Sequence, residues 1–229
     1  MSSAQQWADA DAAAVQLNDY FSDLAARRRA ESRDDLMSAL VAISDASDGR
    51  LSDSELLDNL TLLLVAGFET TANLLGNGLQ MVLRDPSVGD AVRDGSVSAA
   101  AFVEEVLRFD SPVQLTSRRR KDATEIAGVP AAPNDEIILM LGAGNRDPRR
   151  FAEPTTFNPA RPDGGPLSFG GGAHFCIGAA LARLEAGVAF PRLLARFPEL
   201  QTAGDPERKN GIVLRGYETL PVRTRKSRD

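Results

Sequence analysis

Apolar residues recur every three or four positions along most of this chain, the period of a helix with one buried face. Trp7, Ala14, Leu17, Phe21 and Leu24 predict an amphipathic helix over Gln5–Arg29, and the Arg27–Arg29 run at its end reads as a solvated face. Leu36, Leu40 and Ile43 predict a shorter helix over Asp34–Ser44. Ser52-x-x-Glu55 has the form of a capping box, and helical spacing continues from it to Arg84, where Asp85-Pro86 stops it. The apolar run Leu62–Phe68 at the centre of that long helix is too short for a membrane span, so the pattern predicts a rod crossing the middle of a core. Ser98–Phe109 and Ile177–Arg196 read as further helices, the latter with Leu181, Leu184, Val188 and Leu193 as its apolar positions. Pro191 lies inside that last helix and is expected to remove one hydrogen bond and kink it.

From Gln114 the pattern turns strand-like. Thr116–Lys121 is followed by a hairpin of Thr124–Ala127 and Glu136–Leu141, with turns at Gly128 and at Pro133-Asn134-Asp135. Ile212–Leu214 and Leu220–Val222 predict a closing hairpin, and 224–229 a disordered basic tail. The expected fold is therefore mainly α with small β-sheets, organised as a single domain over residues 1–229.

Polar residues break the centre of the long helix. Glu69, Thr70, Thr71 and Asn73 follow the apolar run directly, and Gly67 weakens the helix there by roughly 1 kcal/mol relative to alanine. Polar groups in mid-core are costly unless partnered, so they point to a site. The alternative is that Thr70 and Thr71 bond back to carbonyls one turn earlier while Glu69 finds a salt bridge.

The densest chemistry lies in Phe169–Gly178, FGGGAHFCIG, which holds the chain's one histidine, His174, and its one cysteine, Cys176. Glycines without Cβ let a backbone pass close to a flat ligand. A cysteine at the start of the following helix would sit where free N–H groups favour negative charge. Such a sulfur reads as a nucleophile, as an axial metal ligand, or as a buried small hydrophobe. The nucleophile reading lacks a well-placed base, because the one histidine is two residues away on the same loop, and there is no Gly-x-Ser-x-Gly elbow.

Phe169, Gly172, His174, Cys176 and Gly178, with this spacing, resemble the haem-binding signature of the cytochrome P-450 family, the haem-thiolate monooxygenases. Two upstream matches keep the family's order. Ala66-Gly67-Phe68-Glu69-Thr70-Thr71 resembles its distal helix motif, and Glu105-x-x-Arg108, by itself an ordinary helix-surface pair, falls where the family keeps a structural Glu-x-x-Arg. The resemblance implies haem b (iron protoporphyrin IX) ligated by Cys176, with Phe169, Gly170 and Gly178 around the sulfur and His174 as a second candidate propionate partner. It implies proton delivery by Glu69 and Thr70, a ligand-sized space beside Ala66 and Gly67, a propionate contact for Arg118, and a loop-holding role for Glu105 and Arg108. Its activity would be insertion of one oxygen atom from O2 into a small organic substrate. Electrons would come from an external donor such as a ferredoxin, since the chain carries no flavin or nicotinamide fingerprint.

The resemblance covers nearly all of the chain but only the C-terminal part of the family, a little over half of a full protein. The expectation is a truncated P-450-like fold, completed by a second chain or an N-terminal part. Alternatives are a haem-binding remnant without catalysis and a haem-free helical protein that interacts through exposed apolar surface. One departure stands out: the family usually has arginine where this chain has Thr156, ahead of Phe157, leaving Arg161 as the candidate substitute.

Composition narrows the classes further. A chain of 229 residues, 43% hydrophobic and 25% charged, is ordinary globular material. A formal net charge of −6 argues against a nucleic-acid partner. One cysteine excludes an intrachain disulfide, and the absence of a signal-like or spanning segment at the start predicts a cytoplasmic protein without membrane contact.

Overall fold

The computed structural model describes residues 4–46, 49–162 and 165–224. It is mainly helical with small two-stranded sheets, as the pattern predicts. No helix among these residues is long and apolar enough to cross a membrane. The chain divides into two compact units, Met1–Phe68 and Glu69–Asp229.

The first unit contains α1 (Ala4–Ala30), α2 (Leu36–Asp45) and the start of α3 (Asp53–Arg84). Asp35 caps α2 by accepting the Ser38 N–H at 2.8 Å, and Arg28 on α1 donates to the same carboxylate at 2.7 Å. The capping box forms reciprocally: Ser52 N–H donates to Glu55 Oε2 at 2.9 Å and Glu55 N–H to Ser52 Oγ at 3.3 Å. Phe21, Ala25, Met37, Val41, Leu56 and Leu60 make this unit's core. Trp7, expected on the buried face, is exposed. So are Leu62, Leu64, Val65 and Phe68, contrary to the expected mid-core run. In α3 the stripe that the unit buries is Leu56 and Leu60, four residues apart, whereas a continuous apolar run goes right round the rod.

In the second unit, Asp85 and Pro86 end α3 and also start α4 (Pro86–Arg93), an element absent from the sequence reading. Asp85 accepts the Ser87 N–H, and proline at the first helical position forfeits only a donor that would be unpaired there. Ser98 caps α5 (Ala99–Phe109) through the Ala101 N–H at 3.1 Å. A single turn, α6 (Leu141–Gly144), and α7 (Ala179–Arg196) follow. The core joins Leu74, Met81 and Val82 of α3, Phe102, Val103 and Val106 of α5, and Ala186, Phe190 and Leu194 of α7. The Phe102 and Phe190 rings meet edge to face at 4.9 Å.

The apolar face expected of α7 is corrected. Leu181, Leu184 and Val188 are exposed, Leu193 is half-buried, and Ala179, Ala186, Phe190 and Leu194 are buried. The helix also begins at Ala179 rather than Ile177, with Gly178 at its N-cap. Pro191 does lie within it.

The strand pairings also differ from expectation. β1 (Thr116–Arg119) pairs antiparallel with β4 (Glu136–Leu139), while β2 (Thr124–Ile126) pairs with β3 (Val129–Ala131). Ala127 and Gly128 both take positive φ, 49° and 83°, so the chain reverses after two residues and β2 pairs with its immediate successor. At the C-terminus, β5 (Gln201–Thr202) pairs with β8 (Val222–Arg223) and β6 (Glu207–Arg208) with β7 (Tyr217–Thr219). Ile212–Leu214 forms no hairpin strand; Leu214 bridges Val113 instead. Within the expected tail, 225–229 lie outside the described residues.

Candidate haem-thiolate site

The cysteine loop is built from two single turns, Leu167–Phe169 and Gly172–His174, joined through glycines. Gly170 and Gly172 have φ of 69° and 68°, the left-handed region that a side chain would strain. Cys176 N–H donates to the Phe169 carbonyl at 3.0 Å and Phe175 N–H to the Gly172 carbonyl at 3.1 Å, closing the loop on itself. The Cys176 carbonyl accepts the Ala179 N–H at 3.3 Å, tying the loop to the first turn of α7. Cys176 itself is exposed, which removes the reading of a buried small hydrophobe. Exposed beside it are Phe175, Ile177 and Leu167, the isoleucine 92% so. A Cβ on Gly178 would meet the Cys176 sulfur at 3.9 Å, an ordinary van der Waals contact.

Beneath the loop, the Glu105–Arg108 pair is buried, not on the surface. Arg108 donates from Nε and Nη2 to the two Glu105 carboxylate oxygens, both at 2.7 Å. Its remaining N–H groups reach the carbonyls of Asn145 at 3.0 Å and of Pro154 and Thr156 at 2.9 Å. All five donors of the guanidinium fork are thus used. Glu105 Oε1 also accepts the Asn158 N–H at 2.7 Å. The arginine missing at Thr156 has a spatial substitute: Arg161 Nε lies 3.5 Å from Glu105 Oε2, and its Nη2 donates to the Thr156 carbonyl at 3.2 Å.

Two residues the sequence reading missed complete this support. Asn145, fully buried, accepts the Leu167 N–H at 2.6 Å and donates to Ser168 Oγ at 2.9 Å. Ser168 in turn donates to the Leu107 carbonyl at 2.6 Å. The start of the cysteine loop is therefore bonded through two side chains to α5. Neither residue has a periodic or motif signature that would have revealed it.

The other expected site residues are spread along the chain. Arg118 on β1 turns its Nη1 onto Thr116 Oγ1 at 3.2 Å and the Ser117 carbonyl at 2.8 Å. His174 is exposed on the cysteine loop. Glu69 and Thr70 open the second unit on α3, and Glu69 pairs with Lys209 at 2.9 Å, the salt bridge considered as an alternative for it. Ala66 and Gly67 lie on the same helix within the first unit, both exposed.

The cysteine loop suits haem. It offers one outward sulfur on a closed backbone, an apolar rim of Leu167, Phe175 and Ile177, and glycines at Gly171 and Gly172 whose missing side chains would meet nothing within 4 Å. Among the described residues there is no cluster of three or more histidine, cysteine or acidic side chains that could hold a metal ion.

A lone sulfur on a glycine loop, entered by a stretch that a buried acid and two arginines hold, is the arrangement expected of the haem-thiolate class of protein. The cytochrome P450 family profile matches residues 3–216, and the chain belongs to that family. It is 42% identical over 215 residues to cytochrome P450 107B1 of Saccharopolyspora erythraea, covering 92% of this chain and 53% of that protein. To the 6-deoxyerythronolide B hydroxylase of the same organism it is 41% identical over 214 residues, again 92% and 53%. The ligand-free crystal structure of Mycobacterium smegmatis CYP164A2 superposes with a TM-score of 0.90 at 42% identity, over 96% of this chain and 56% of that one. The fold is thus that of a cytochrome P450, and the chain spans about half the length of the relatives it matches.

Proposed function

We propose that Cys176 supplies the thiolate ligand of haem b and that the chain forms the C-terminal, haem-holding share of a monooxygenase. That enzyme inserts one oxygen atom of O2 into a small organic substrate. The observation that carries this reading is the outward Cys176 sulfur on a loop whose two ends are bonded to α5 and α7. A haem bound through thiolate is an electron-rich oxidant precursor that favours O–O cleavage.

The chain's own residues have separate tasks in this proposal. Phe169 packs between the loop and the core and keeps water from the sulfur. Gly170 and Gly178 keep the approach free of side chains. Arg118 and His174 are the propionate partners, and a guanidinium fork suits a carboxylate. Thr70 and Glu69 would hold and pass protons, and Glu69, paired with Lys209 at 2.9 Å, would have to leave that partner to do so. Electrons come from an external donor such as a ferredoxin. The hydroxylase name of one relative supports oxygen insertion as the reaction class. Residues 1–229 act as one haem-binding domain, completed by a second chain or an N-terminal part. The exposed Leu62, Leu64, Val65 and Phe68 support that completion. The same apolar row equally suits a haem-free interaction protein.

Haem titration of the purified chain separates the readings. After reduction under carbon monoxide, the red-shifted Soret band of a thiolate-ligated haem is expected, and Cys176→Ala is expected to abolish it. No haem uptake by the wild-type chain leaves the interaction-protein reading.

A further inference from the structure

We propose that Glu104 and Arg183 act as positioning residues for the thiolate loop, with Arg183 clamping the Phe169 ring while Glu104 fixes the direction of Arg183. This rests on the reading of Cys176 as the haem ligand.

Glu104 and Glu105 are neighbours on α5 but reach opposite ends of the cysteine loop. Glu105 holds the stretch that enters it, through Arg108, Arg161 and the Asn158 N–H. Glu104 reaches α7, the helix that leaves it: Arg183 donates from Nε to Oε1 at 2.5 Å and from Nη2 to Oε2 at 3.1 Å. This two-point grip orients the guanidinium plane as well as neutralising its charge. The same guanidinium lies over the Phe169 ring, its central carbon 4.5 Å from the centroid. On its other sides Phe169 packs against the core and faces Phe175 at 6.3 Å. Phe169 is also the residue whose carbonyl receives the Cys176 N–H. Fixing that ring therefore fixes the acceptor of the bond that closes the loop at the sulfur.

A plain salt bridge joining two helices and an aromatic clamp make different demands on which chain carries the guanidinium. The discriminating set is Arg183→Met, Arg183→Lys and the exchange of charges, Glu104→Arg with Arg183→Glu. Amide hydrogen exchange at Cys176 in the haem-free chain reads the loop directly. Arg183→Met is expected to accelerate it by roughly two- to fivefold, the weight of a partly exposed cation–π contact. Arg183→Lys is expected to fall between it and wild type, because a compact ammonium cannot both grip the carboxylate at two points and lie flat on the ring. The charge exchange is expected to give no rescue, since it restores the ion pair while removing the cation from Phe169. The haem-loaded chain gives the second readout: in Arg183→Met the reduced carbon monoxide complex shifts from the thiolate band toward the non-thiolate one.

Unchanged Cys176 exchange in Arg183→Met overturns the proposal, and so does full rescue by the charge exchange, which would make the pair a structural tie. A wild-type chain that takes up no haem refutes the haem reading but leaves the exchange measurement to decide whether Arg183 holds the loop.

Discussion

Arg108 offers the sharpest test of how the cysteine loop is held. Arg108→Met keeps the bulk of the stem but deletes five donors at once. It strips Glu105, 4% exposed, of both hydrogen bonds from Arg108 and leaves it the Asn158 N–H at 2.7 Å and Arg161 at 3.5 Å. Breaking a buried ion pair from one side costs about 3–5 kcal/mol, because the remaining charge is uncompensated. The carbonyls of Asn145 and Pro154 each lose a donor as well, at about 1–3 kcal/mol apiece where water cannot replace it. These terms overlap, so the expected loss is about 4 kcal/mol or more, a large part of the roughly 5–15 kcal/mol that holds a domain. Arg108→Lys keeps the charge and up to three donors and should cost about half as much. Arg161→Ala removes the longer contact and should cost about 1–2 kcal/mol. Urea unfolding followed by circular dichroism gives the three values, provided the slope with denaturant stays constant. A loss below about 1 kcal/mol for Arg108→Met, or a larger one for Arg161→Ala, would refute the assignment of Arg108 as the centre of this support.

Two further outcomes are expected. Gly78 on α3 lies so close to α7 that a Cβ would fall 2.3 Å from the tip of the Phe190 ring; Gly78→Ala should destabilise by about 1–3 kcal/mol, and an unchanged melting curve would show that the two helices part easily. In the turn after α6, the Arg149 side chain and N–H hold the Asp147 carboxyl down to about 2. A depressed folded value means the contact contributes fully above the ordinary carboxylate range and is lost as pH falls toward about 2. Wild type and Asp147→Asn should therefore differ in stability near neutrality and converge in acid, as denaturant midpoints across pH would show.

Much of the site was legible in the chain alone because its signals are local. Glycines beside a single cysteine, a Glu-x-x-Arg on one helix face and a Ser-x-x-Glu capping box each depend on residues within a few positions, and each formed as spaced. The positions of the five longer helices were legible for the same reason, since periodicity and Pro86 act along the chain, whereas the short α4 and α6 were not. What periodicity could not choose is which apolar stripe gets covered. On α7 the stripe through Leu184 and Val188 and the one through Ala186, Phe190 and Leu194 have similar spacing, and only α3 and α5 decide that the second is buried. Packing likewise carried Arg161 to Glu105 across more than fifty positions, and placed Asn145 and Ser168 beneath the loop, where no pattern marks them. Local chemistry writes helices, caps and turns into the sequence. Burial and long-range polar pairing depend on which surfaces meet, and that was settled only once the chain had folded.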